Sequence, residues 1–364
     1  MMDQTPKVLL IRRSAFLCVR IMMRLLWICL MCLSATLRAQ TLDAGKIVRD
    51  SFVVDSEGSY YLRDQQGGDD PFTTTEGVCD FGRLKEFSGR NLTVMNVSGE
   101  RSLDVQVKAI NDGVYKNAVL IQSFGDIAAL RTSGKFGVLF YIQTIDPLGG
   151  SVEKISSWHR KGLRVFNIAY GRGHNPAKED VLGYGSGDNG GLTRLGEKVV
   201  AELNRLKMVV DVAHANDETA MDVCRVSKAP VVATHANCRA VTPIDRNKSD
   251  QVLKAIAKTG GVIGVTSIGW MFETSSGKRD VNAFVKHIDH LRKVVGIDHI
   301  GLASDALLNG WPADSRHFAC PELAAPDRWK TVASALAAKG YKTEDIQKIL
   351  GLNWVRVFKA ILPP

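Results

Sequence analysis

Cysteine is scarce and badly placed for metal binding. The chain has seven, but Cys18, Cys29 and Cys32 lie in the first 39 residues, leaving Cys79, Cys224, Cys238 and Cys320. None of these four stands in a C-x-x-C pair, which excludes a cysteine-built structural zinc site and leaves buried free thiols as the expectation. Aromatic residues make up only 7% of the chain, and no Lys/Arg block is interleaved with them, so nucleic-acid binding is excluded as a function class. No apolar run reaches the roughly 20 residues of a spanning helix. No Pro/Ser/Gly linker, internal repeat or low-complexity tract divides the 364 residues, which argues for one large domain.

Basic charge is less abundant than its sum suggests. Of the net +9, +5 comes from residues 1–39, where Lys7, Arg12, Arg13, Arg20, Arg24 and Arg38 face only Asp3. Within that stretch Arg24 precedes an apolar run over residues 25–33, then the small-residue stretch to Ala39. A basic region, a short apolar region and a small residue before the cut define a secretory signal peptide. The expected start is Met22 or Met23, the expected domain is residues 40–364, and the expected location is secreted or periplasmic.

What remains alternates. Short apolar runs, read as strands, lie at residues 52–55, 92–96, 137–143, 163–169, 209–213, 230–234, 262–267 and 299–303. Most are separated by helical patterns, among them 103–115, 192–206, 250–258 and 281–295. Residues 40–49 read as an exposed segment, 55–71 as a loop, and Asp217 as the cap of the helix after His214. Eight strand–helix units in one chain predict an α/β fold, a single (β/α)8 barrel with helices at its C-terminal end. The long loop 170–191, with its run GYGSGDNGG, is rich in glycine but not held tightly between strand and helix, so it is not read as a dinucleotide site.

In a barrel the C-terminal strand ends converge on one pocket. Here they bring residues 55–59, Asn96, Gln143, Tyr170, His214, His235, Ser267 and Asp305. Two histidines directly after neighbouring parallel strands are natural ligands for one zinc. Asp305 suits a base for an attacking water, and Arg246 can hold a carboxylate bidentately.

The wording of four stretches, GLTRLGEKVVAELNRLKMVVDVAHAND, SKAPVVATHANCRAVTPIDRN, DQVLKAIAKTGGVIGV and HIDHLRKVVGIDHIGLASD, resembles the renal (membrane) dipeptidase family of binuclear zinc peptidases. The resemblance runs from about Phe52 to Phe358. It implies that His214 and His235 hold the second zinc, that Arg246 binds the substrate carboxylate, and that Asp305 serves the catalytic water. It also implies that Tyr170 lies near the substrate and that the protein pairs as a homodimer.

The first-zinc half departs from that pattern. Where the family has V-D-x-H-x-D, this chain has Val54, Asp55, Ser56, Glu57, Gly58 and Ser59, so Glu57 replaces the histidine and Ser59 the aspartate. Gln143 stands where the resemblance puts a bridging glutamate, and Asp305-Ala306-Leu307 where it puts D-F-D-G. Two dications about 3.5–4 Å apart need an anionic bridge, and Gln143 is neutral. The expectation is therefore one zinc or none, held by His214 and His235, with Gln143 and Glu57 as poor supplementary ligands. Two functions follow: a metal-dependent hydrolase of dipeptides or similar small amides, or an impaired relative that binds a small peptide or amino acid without turnover.

Overall fold

A computed structural model describes residues 43–59, 79–143, 148–170, 182–309 and 320–364. Residues 1–42, most of the loop read at 55–71 and half of the loop 170–191 lie outside them. Eight parallel strands form the frame: β1 Val53–Ser59, β2 Arg90–Val97, β3 Phe136–Ile142, β4 Leu163–Asn167, β5 Val209–Asp211, β6 Val231–Val232, β7 Ile263–Thr266 and β8 Ile300–Ala303. Strands β1 to β6 pair in sequence order. A parallel bridge from Ala233 to Ile263 carries the sheet to β7, which pairs with β8. Closure comes just after β8, where Ala306–Leu307 pairs in parallel with the end of β1. The ring is the predicted single (β/α)8 barrel.

Its strands are buried on both faces because helices cover the outside and side chains fill the inside. Ser56 points inward, its hydroxyl 2.6 Å from the Thr234 carbonyl and 2.9 Å from that of Leu302. Gly264 makes this crossing possible, since a Cβ there would sit 2.0 Å from the Thr234 carbonyl and 2.4 Å from the Ser56 hydroxyl. The last helix, Asn353–Ile361, buries Trp354, Val357, Phe358 and Ile361 in one cluster with Val54, Leu92, Val209 and Val262, near the beginnings of their strands. Gly301 makes room for the Trp354 indole, which would lie 2.1 Å from a Cβ at that position. The strand beginnings are thus plugged, and the strand ends are left for the pocket.

Several local readings are corrected. Residues 40–49 are not simply exposed: Ala44–Asp50 is a helix capped by Asp43, with Ile47 and Val48 buried. Its seven residues make about two turns and bury only two apolar side chains, too few to show a period. The cap of helix Asp217–Val226 is Asn216, whose Oδ1 accepts from Thr219 N at 2.8 Å. Asp217 instead makes a two-pronged pair with Arg239, both contacts 3.0 Å. Residues 55–59, read as loop, continue β1, because register shifts beside β2 let a polar, Gly-containing segment stay in the sheet. The helix read over 103–115 is Glu100–Asn111, and Tyr115 leaves it for a short strand after Gly113 turns the chain with φ +76°.

Candidate active site

The strand ends bring the candidate residues together as expected from the barrel. Gln143 follows β3, Tyr170 follows β4, His214 lies three residues past β5 and His235 three past β6. The Nε2 atoms of His214 and His235 are 2.8 Å apart. The Gln143 amide nitrogen is 2.8 Å from the first and 2.9 Å from the second. Its oxygen accepts from Asn96 Nδ2 at 2.7 Å. The Tyr170 ring, 37% exposed, covers His214 at 4.4 Å between centroids.

His235 is oriented from behind. Asp211, fully buried at the end of β5, accepts from the Tyr141 hydroxyl at 2.5 Å, the Thr234 hydroxyl at 2.8 Å, and the backbone N–H groups of Thr234 at 2.8 Å and Ala213 at 3.1 Å. Thr234 donates its one proton to Asp211, so its oxygen can only accept from His235 Nδ1, 2.8 Å away. That fixes the proton on Nδ1 and leaves the Nε2 lone pair facing the pocket. Burial pushes both imidazoles well below the usual histidine range, and the positive charges of Arg246 and Lys248 add to the effect. Both rings are therefore neutral near pH 7.

Arg246 stands behind the two strand ends. It donates to the Ala213 carbonyl and, at 3.1 Å, to that of His235. No carboxylate among the described residues lies within ion-pair distance of it. Lys248, fully buried, donates to the Ala215 carbonyl, and burial together with Arg246 pulls its ammonium well below the ordinary lysine range.

The opposite side carries the carboxyl groups. Asp305 has φ +48°, a left-handed conformation uncommon for a residue other than glycine and one that clusters at functional sites. Its N–H donates to the Glu57 carbonyl at 2.8 Å, and its Oδ2 is 3.9 Å from His235 Nε2. The buried Glu57 carboxyl is bonded to that of Asp305, while its Oε2 has no hydrogen-bond partner. Burial and the adjacent Asp305 hold Glu57 well above the usual carboxyl range, so Glu57 is the member of the pair that carries a proton. Burial raises the Asp305 carboxyl as well, with Glu57 and then Arg246 opposing that rise.

Two expected strand-end groups are not in the pocket. Ser267 donates to the Ser304 carbonyl at 2.8 Å. Asp55 forms a fully buried pair with Arg90 at 3.0 Å and accepts from Ser304 N at 2.7 Å, holding the β1–β8 seam. The supporting residues Asp211, Tyr141, Thr234 and Lys248 were not singled out from sequence. Asp211 had a signal, a lone acid in the apolar run VVDVA. Lys248 had none, since lysine beside a helix cap normally reads as surface.

Among the described residues no three His, Cys, Asp or Glu side chains form a ready-made cage for a metal ion. Two imidazoles on one tetrahedral zinc need nitrogens roughly 3.3 Å apart, given Zn–N near 2.0–2.1 Å. The observed 2.8 Å is a closed version of that pair, and a small outward turn of the rings opens it. Two neutral imidazoles with Asp305 at the rim suit one divalent cation in kind and reach. The neutral Gln143 offers no anionic bridge for a second.

Comparison with known proteins identifies the ancestry. The sequence model of the membrane dipeptidase family, peptidase family M19, matches residues 99–362. The chain belongs to this family. The matched stretch holds Gln143, His214, His235, Arg246 and Asp305, and begins after β1, so Glu57 lies outside it. One family relative, dipeptidase tcpJ of Claviceps purpurea, is 30% identical over 236 residues, covering 65% of this chain and 53% of that protein. The matched part thus spans about half that relative's length. An amidohydrolase from Pseudomonas aeruginosa has a TM-score of 0.74 at 21% identity, covering 88% of this chain and 99% of that one. A metallo peptidase from Rhodobacter sphaeroides, solved with a phosphinate mimic of the dipeptide L-Ala-D-Ala, has a TM-score of 0.70 at 21% identity, covering 86% and 100%. These structures share the barrel fold.

Proposed function

We propose that the protein is a dipeptidase-like hydrolase of dipeptides or similar small amides with a free carboxylate. The observation that carries this reading is Arg246, an inward guanidinium that among the described residues hydrogen-bonds only backbone carbonyls and lies beside Asp305 and the histidine pair. Of five guanidinium donors, two are engaged in those contacts. The others suit a planar carboxylate, which accepts in parallel from such a fork. Its dipeptidase relative in Claviceps and the dipeptide mimic bound by the Rhodobacter peptidase support the same substrate class.

In this reading His214 and His235 hold one cation, with Asp305 at its rim and Glu57 as a weak supplementary donor; Gln143, expected as a weak ligand, turns its NH2 group rather than its oxygen to the histidines. A divalent cation, when bound, supplies Lewis-acid polarisation of the scissile carbonyl. Arg246 anchors the substrate carboxylate and so orients the amide. Asp305 takes the proton of the attacking water, and protonated Glu57 stabilises its carboxylate form by hydrogen bonding until then. Tyr170 shields the outer face of His214 and narrows the substrate's approach. The leader at residues 1–39 supports export, and the mature chain then begins at Gln40; N-terminal sequencing of exported protein checks this, and retention of residue 25 contradicts it. Among the described residues no helix is long and apolar enough to cross a membrane.

The test is dipeptide turnover by the purified full chain, with and without added zinc, in wild type and His235→Ala. The reading expects zinc-dependent turnover that the substitution abolishes. Equal turnover in chelator and in His235→Ala would overturn it. A second reading, a ligand-binding relative without turnover, is favoured by the Gln143 amide already engaging both imidazoles. Saturable dipeptide binding lost in Arg246→Ala, with no turnover at any zinc concentration, establishes that alternative.

A further inference from the structure

We infer that the Gln143 carboxamide is a built-in competitor for the cation, occupying both imidazole lone pairs and making the site a weak, reversible one-cation site. The inference rests on reading His214 and His235 as cation ligands, and it assigns the control of their occupancy to Gln143 and Asn96.

The argument is one of proton counting. An amide nitrogen carries two protons, and Gln143 Nε2 has two acceptors at hydrogen-bond distance, His214 Nε2 at 2.8 Å and His235 Nε2 at 2.9 Å. The amide cannot turn over freely, because its oxygen is held by Asn96 Nδ2 at 2.7 Å. His235 cannot offer a proton in return, since its Nδ1–H is fixed on Thr234 and its Nε2 is an acceptor. The two Nε2 atoms are only 2.8 Å apart, so the rings already turn their polar edges to one another. The Gln143 amide nitrogen lies within hydrogen-bond distance of both, on the side from which a cation would take their lone pairs. A carboxylate at the same position has no proton to offer near neutral pH and attracts the cation instead. One change from an acid to its amide thus removes an anionic ligand and installs a neutral substitute for the metal.

Cation entry must therefore break two hydrogen bonds that hold the rings together. Without a cation, the same bonds keep the imidazoles in place, so folding does not depend on metal. The state of the amide is set by Asn96, which is only partly buried and whose Oδ1 has no partner. An acid at position 96 accepts from the Gln143 NH2 group rather than donating to its oxygen. The amide then turns its oxygen toward the histidines.

The experiment uses the full chain, wild type and the variants Gln143→Glu, Asn96→Asp and Gln143→Glu/His235→Ala. Zinc affinity is measured by competition with a chromogenic chelator, and thermal unfolding is followed with and without chelator. The expected wild-type melting temperature is the same in both conditions. Gln143→Glu is expected to bind zinc at least tenfold more tightly and to lose melting temperature in chelator. Asn96→Asp is expected to strengthen zinc binding in the same direction by a smaller factor, without a change at residue 143. Zinc affinity that depends on His235 but is equal in wild type and Gln143→Glu would overturn the inference while leaving the histidine reading intact. Absence of His235-dependent zinc binding in every variant would overturn the histidine reading itself, and this inference with it.

Discussion

The two sides of the pocket are held by different means. On the β5–β6 side, His235 is fixed by Thr234 and Asp211, and Arg246 by two backbone carbonyls. Every support there is a hydrogen bond within the protein. On the β1–β3–β8 side, the groups facing the histidines are a protonated carboxyl, a carboxamide and one carboxylate at the rim. The resemblance places metal ligands at the first two of these positions, a histidine at 57 and a bridging glutamate at 143. The β5–β6 side can stay ordered without an ion, whereas a binuclear arrangement on the other side would need ions to offset its acids. Loss of negative charge from one side is therefore compatible with an intact carboxylate anchor on the other.

This difference is exposed by attacking the supported side first. Asp211→Ala removes the acceptor of two hydroxyls and two backbone N–H groups in the barrel interior. Unsatisfied buried donors cost about 1–3 kcal/mol each, partly relieved by water, so a stability loss of about 4 kcal/mol is expected in denaturant unfolding. A loss under about 1 kcal/mol means that His235 is not supported in this way. Arg246→Ala is expected to weaken dipeptide binding by about 3 kcal/mol, roughly two orders of magnitude in Kd, measured by calorimetry. Arg246→Lys should recover only part of this, because an ammonium lacks the planar fork.

The loop carrying Arg246 gives a pH dependence. His287, fully buried, accepts from Cys238 N at 3.0 Å at the loop's start, and burial pushes its pKa down to about 3. Its folded pKa is below the unfolded value near 6.5, so its stabilising effect is present above pH 6.5 and is lost as pH falls toward 3. The slope from this one group is about 1.4 kcal/mol per pH unit within that window. His287→Gln should flatten the acid limb of a stability–pH profile, and an unchanged limb contradicts the assignment. The smallest effect is expected at the rim: Tyr170→Phe keeps the ring over His214 and should change stability by no more than about 0.5 kcal/mol.

How much of this was legible in the sequence depended on the kind of signal. Strand–helix alternation announces a barrel, and a barrel alone tells which residues meet, so Gln143, Tyr170, His214, His235 and Asp305 were found by position. Of the four thiols beyond residue 39, Cys79, Cys238 and Cys320 are buried, and Cys224, Cys238 and Cys320 form no disulfide among the described residues. Side-chain direction was not legible. Ser267 and Asp55 were expected at strand ends, yet Ser267 bonds to Ser304, and Asp55, inside β1, is held by Arg90 and Ser304. The relay from Asp211 to His235 was missed because it crosses from β5 to β6, and no local pattern records which hydroxyl meets which carboxylate across strands. The β1 extension was missed because a Gly–Ser run resembles a turn when its parallel partners are far off in sequence.

The central claim is that the supported side still holds a substrate carboxylate. It is tested most directly by calorimetric titration of the wild-type chain with a dipeptide and with the same dipeptide as its C-terminal amide. The account predicts saturable binding of the acid, at least tenfold tighter than the amide, with the discrimination lost in Arg246→Ala. Equal affinity for acid and amide, or discrimination that survives Arg246→Ala, would contradict it.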